Sequence, residues 1–255
     1  MTDTKKIINS FYLQDELNPQ VWLNPEMPKK TKIKPEIREK LLKIAELFID
    51  FLNVDVFIHD VILVGSLTGY NWSEFSDFDL HVLYDFNDAG EKKESYEELF
   101  RLKKMVFNST HDISIKGYDV ELYVQDLNED NKSIGVYSLT SDEWVNFPRK
   151  DDFTVDEKKI KDKAKQWMDI IDGVIENAED ENLDDALKLI DKYKEKLRKY
   201  RTCGLEKEGE FSYENLVFKF LRRNGYIGKL NDIKNEIIDR KLSLDEQFLT
   251  SKVKY

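Results

Sequence analysis

Two short runs in this chain carry side chains suited to phosphate and metal chemistry. Gly65-Ser66 closes the apolar run Val61-Ile62-Leu63-Val64, and Asp77 follows Ser66 after eleven residues, within Ser76-Asp77-Phe78-Asp79. The aspartates open a second apolar run, Leu80-His81-Val82-Leu83-Tyr84. Glycine lets a backbone approach a phosphate closely, and the N–H and hydroxyl of Ser66 can donate to it. In a strand, alternate side chains share a face, so Asp77, Asp79 and His81 point one way and Phe78, Leu80 and Val82 the other. The run Tyr118–Gln125 alternates in the same manner, with Glu121, Tyr123 and Gln125 opposite Val120, Leu122 and Val124. If the two strands are neighbours, Asp77, Asp79 and Glu121 meet on one face. Three carboxylates at close range repel unless cations neutralise them, and Mg2+ is the natural resident because it takes oxygen ligands and shares them with phosphates. Such a cluster suits phosphoryl or nucleotidyl transfer with two metal ions.

The surrounding elements are readable from periodicity. Pro35 suits a first helical turn, and Ile37, Leu41, Leu42, Ala45, Phe48, Ile49 and Leu52 predict a helix to about residue 53. A strand over 55–64, a helix over 90–108, a hairpin over 113–125 turning at Gly117, and a short strand over 134–140 follow. Residues 7–34 read as irregular, broken by Pro19, Pro25 and Pro28. After Pro148 the pattern turns helical, with helices predicted over 155–177, 182–202, 212–224 and 229–241 and a loop over Gly204–Glu210 bracketed by glycines. The reading is therefore α+β: an irregular segment (1–34), a mixed α/β domain (35–148) and a helical domain (149–255).

Composition narrows the function classes. A net charge of −11 argues against a chain that coats nucleic acid over its whole surface, although a local basic groove remains compatible with it. The C-terminal half offers such a cluster, from Lys192 to Arg201 and then Lys219, Arg222, Arg223 and Lys229, readable as a solvated helix face or as a grip on triphosphate or RNA. No apolar run is long enough for a membrane span. One cysteine and three histidines leave a hard, oxygen-held ion as the expected metal, and cytoplasm as the expected compartment.

Gly65-Ser66, the Asp77-Phe78-Asp79 pair preceded by Ser76, and the isolated Glu121 in an apolar strand resemble the motif of the DNA polymerase beta-type nucleotidyltransferase superfamily. The resemblance covers about residues 61–125. It implies a polymerase beta-like domain with a mixed sheet followed by a helical domain, and NMP transfer from an NTP to a hydroxyl with release of pyrophosphate. Under it, Asp77 and Asp79 bind two Mg2+ ions, Glu121 binds the catalytic one and assists the attacking hydroxyl, and Gly65 and Ser66 contact the triphosphate. The whole layout, including the segment 209–216, also looks like predicted nucleotidyltransferases of tailed phages, which would place it in a host cytoplasm. Tyr70, Trp72 and Phe75 crowd the connector where many relatives carry small or basic residues. The acceptor stays open among RNA, protein, a second nucleotide and a small molecule. Two other readings stand beside this one. A catalytically silent binding module of the same fold is one; a metal-dependent nuclease or phosphohydrolase, which leaves Gly65-Ser66 without a role, is the other.

Overall fold

The computed structural model describes residues 3–131, 133–150, 153–180 and 183–243. Parts of the expected helical domain, at residues 151, 152, 181, 182 and 244–255, lie outside the described residues. The chain divides into two compact units, one of residues 12–152 and one that joins residues 1–11 to residues 153–255. The second unit begins with the short helix α1 (Thr4–Asn9), whose first turn is capped by the Asp3 carboxylate accepting from the Lys5 N–H. A helix here departs from the irregular N-terminal segment expected from sequence; Ile7 and Ile8 are buried, so tertiary packing holds a helix too short to form alone.

The first unit is α+β. Helix α2 (Pro35–Leu52) ends at Asn53, which adopts the left-handed conformation. Strand β1 (Ile58–Val64) is followed by a single 3-10 turn over Ser66–Thr68, and β2 (Phe78–Tyr84) by helix α3 (Lys93–Thr110). Strands β3 (Ser114–Ile115) and β4 (Tyr118–Asp126) form the expected hairpin, turning at Lys116 and Gly117 with φ of 55° and 83°. Strand β5 (Val136–Ser138) falls inside the strand read at 134–140, whereas β6 (Glu143–Asn146) had no sequence signal because three of its four residues are exposed.

The six strands form a mixed sheet in the order β3-β4-β2-β1-β5-β6. Strand β2 runs antiparallel to β1 and parallel to β4, the crossover to β4 being made through α3. Along β2 the side chains alternate between buried and half-buried. Phe78, Leu80, Val82 and Tyr84 join Val120 and Leu122 of β4 in a core closed by Ile37, Leu41 and Phe48 of α2 and Phe107 of α3. The Phe48 and Phe107 rings meet edge to face at 5.1 Å. The helices thus cover one face of the sheet, and the opposite face carries the polar half of each alternation.

The second unit continues with α4 (Glu157–Asp180), α5 (Leu183–Glu208), α6 (Tyr213–Arg223) and α7 (Tyr226–Leu242). Helix α5 runs through Gly204 to Glu208, so the loop expected at 204–210 shrinks to a short 3-10 turn at Gly209–Phe211. The physical reason is a close approach of elements, since a Cβ on Gly204 would stand 2.7 Å from both Glu214 Cβ and Ser212 Oγ. That glycine admits the start of α6 and does not end α5. No helix among the described residues is long and apolar enough to cross a membrane.

Candidate functional site

The polar face of the sheet is assembled by register. Asp79 of β2 stands opposite Glu121 of β4, and His81 opposite Tyr123, while Val64 of β1 flanks Asp79 on its other side. Asp77, one residue before β2, completes the group: Asp77, Asp79 and Glu121 each offer a carboxylate oxygen within 4.8 Å of the others, and all three are half-buried. Two ligand oxygens on one Mg2+ are at most about 4.2 Å apart, given bonds near 2.1 Å. Small side-chain rotations therefore suffice, and hard oxygen donors in this arrangement fit Mg2+.

Gly65 is bound to this trio by its conformation. Its φ of 80° and ψ of −162° lie in a region that is essentially glycine-only. A Cβ here would come 1.8 Å from Asp79 Oδ2, so the carboxylate rests directly on the glycine backbone. The turn after it is fastened from several sides. The Thr68 hydroxyl lies 2.7 and 2.8 Å from the carbonyl oxygens of Gly65 and Gly135, and the buried Trp22 indole donates to the Leu67 carbonyl at 2.8 Å. Ser66 donates its hydroxyl to Ser76 Oγ at 2.7 Å, and that oxygen also accepts from the Ser73 N–H at 2.9 Å. The two halves of the sequence motif are thereby joined by a direct hydrogen bond between Ser66 and Ser76.

Around the trio lies a set of side chains that modulate it. The Tyr123 hydroxyl donates to Glu121 Oε2 at 2.6 Å, and burial together with that bond pushes its phenol well above the ordinary value. Lys104 of α3 holds its ammonium 3.5 Å from the centre of the Tyr123 ring. Burial pulls the Lys104 ammonium down, and attraction from Glu121 and Asp79 works against that shift. His81 places Nδ1 2.6 Å from Gln125 Oε1; burial pulls its imidazolium down, partly offset by that bond. Lys104 had no sequence signal, because nothing in its own segment distinguishes it in chemistry from its neighbour Lys103, which instead donates to the Phe51 carbonyl at 2.9 Å; only the packing of α3 brings Lys104 to Tyr123.

The remaining sequence candidates fall elsewhere. Tyr70 and Trp72 of the aromatic connector belong to the packing of the first unit, with Trp72 Nε1 donating to the Glu16 carbonyl at 2.9 Å and Gln14 N–H to the Tyr70 carbonyl at 2.7 Å. Those aromatics thus anchor residues 12–17. The basic cluster lies in the second unit, where many of its members are engaged locally: Lys219 with Glu210 at 2.6 Å, Lys229 with Asp172 at 3.4 Å, and Arg223 with Ser10. Cys203 is exposed.

No protein-family model, curated protein or solved structure matches this chain.

Proposed function

We propose that this protein is a Mg2+-dependent nucleotidyltransferase that moves an NMP from an NTP to a hydroxyl acceptor. The observation that carries the reading is the convergence of Asp77, Asp79 and Glu121 beside a glycine-only turn on which Asp79 rests. A nuclease would need the carboxylates but not that turn. Bound to the trio, Mg2+ would offset the carboxylate charge and draw electron density from the triphosphate.

The protein's own groups have separable tasks. Asp77 and Asp79 hold the metal side of the site, and the backbone at Gly65-Ser66 faces the phosphates. The acceptor's oxygen forms a bond to the α-phosphorus, the bond from that phosphorus to the bridging oxygen breaks, and pyrophosphate leaves with the electron pair. The acceptor's proton passes to Glu121, which the Tyr123 hydroxyl keeps oriented. Lys104 adds a cation to the same neighbourhood, suited to offsetting charge on the triphosphate.

Incubation with each labelled NTP, Mg2+ and a panel of RNA, protein, nucleotide and small-alcohol acceptors tests this. Pyrophosphate release and label transfer are expected from the wild type and should fall by about 10³-fold or more in Asp77→Asn/Asp79→Asn. Transfer that persists in the double variant would refute the assignment of the trio. NTP binding without turnover on any acceptor would favour the silent module.

A further inference from the structure

The second unit contains a cleft of about 680 Å³ between α5, α6 and α7, within the range of small-molecule sites. Its apolar lining offers surface on Leu205, Phe218 and Ile227, and includes the buried Leu197 and Leu230. Its charged wall is less balanced than its composition suggests. Asp191 is paired with Lys234 at 2.6 Å and Glu195 with Lys199 at 3.4 Å, and neither lysine lines the cleft. Arg198 and Arg201, which do line it, have no carboxylate partner among the described residues. They stand three positions apart on α5 and so share a face.

Arg201 is also held in place. Its Nε donates to Asn215 Oδ1 at 3.1 Å, and its guanidinium lies 4.7 Å from the centre of the Phe218 ring. Asn215 is buried, and its own amide donates to the Glu210 carbonyl at 2.6 Å, which fixes the oxygen that Arg201 meets. A guanidinium fastened through Nε keeps its two terminal amino groups for a ligand, the fork that suits carboxylate and phosphate oxygens. Burial pulls Arg201 below its ordinary value and the nearby Arg222 adds to this, while attraction from Glu210 works against the shift.

We propose that this cleft binds a small amphipathic anion, its carboxylate or phosphate head on Arg198 and Arg201 and its apolar body along Leu205, Phe218 and Ile227. The apolar side chains suit an apolar body, and the two arginines, which have no carboxylate partner among the described residues, suit a negative head.

Calorimetric titration of the full chain at low salt with decanoate, decyl phosphate and decyltrimethylammonium tests the proposal. Saturable binding is expected for the two anions only, the tighter of the pair identifying the preferred head. Arg198→Gln/Arg201→Gln should weaken it by about 10-fold or more. Arg198→Gln alone alters an exposed side chain with no carboxylate partner among the described residues, so its circular dichroism should match the wild type while affinity falls several-fold. The proposal is overturned by equal affinity for the cation, by anion binding unchanged in both variants, or by no saturable binding up to about 1 mM.

Discussion

Gly65 concentrates the logic of the candidate site in one residue. Its backbone geometry excludes a side chain, and the volume a Cβ would occupy is already filled by the Asp79 carboxylate. Gly65→Ala therefore has two consequences of different kinds. Placing an L residue in that conformation costs about 2 kcal/mol, readable as a lower urea midpoint. The same methyl must displace Asp79 from Glu121 and Asp77, so the thermal stabilisation expected from Mg2+ should disappear as well. A variant that loses stability but keeps its full response to Mg2+ would separate the turn from the carboxylates and weaken the reading of both. The trio itself is legible in the sequence, because strand alternation puts Asp79 and Glu121 on the polar faces of their strands. Lys104 is not, since helical position carries no information about which sheet residue a side chain will meet.

At the level of elements, glycines show where a sequence reading goes astray. Gly204 reads as a breaker, yet it lies inside α5 because α6 starts against it. Alanine is ordinarily better than glycine in a helix by about 1 kcal/mol. Gly204→Ala should nonetheless destabilise the chain, since its methyl would meet Glu214 Cβ at 2.7 Å. Gly173→Ala, in α4 with nothing within 4 Å, should stabilise it by up to about 1 kcal/mol in the same urea experiment. The helices and the hairpin were readable because their periodicity is local. Strand β6 and α1 were not, since exposed residues in one and brevity in the other leave only tertiary partners to define them. The β5–β6 connection has such a partner set: Asp142 accepts from the Tyr137 hydroxyl at 2.8 Å and pairs with Lys32 at 2.9 Å. Burial works against its carboxylate, but the bonds from Lys32 and Tyr137 and the charges of Lys32 and Arg38 hold it below its ordinary value. The folded state thus releases this proton more readily than the unfolded chain, so its contribution is complete above the ordinary carboxylate value of 3.8 and is lost as pH falls through the folded value. Asp142→Asn should cost about 1 kcal/mol at pH near 7, and the difference from wild type should shrink in strongly acidic solution.

On the scale of the whole molecule, the chain order and the structural units disagree. Residues 1–11 belong with residues 153–255, although the entire α/β unit intervenes between them. Such an arrangement makes folding of the second unit depend on a contact of very long sequence separation, whose closure entropy must be met by burial. The burial is substantial: Ile7, Ile8 and Phe11 are each under 5% exposed, and Arg223 of α6 reaches both the Phe11 ring and the Ser10 hydroxyl. A side chain of this kind contributes about 1.5–3 kcal/mol when fully buried. Removing residues 1–11 should therefore lower the stability of the second unit by about 2 kcal/mol or more, an effect local to its helices. Hydrogen exchange resolves where the loss falls. Amides of α6 should exchange about 30-fold faster or more in the truncated protein, the factor corresponding to about 2 kcal/mol, since opening free energy sets their protection. Unchanged protection along α6 would show that α1 is an appendage resting on a unit that is complete without it. The Ile7→Ala variant, which keeps the backbone of α1, should reproduce part of the acceleration if side-chain burial is the cause.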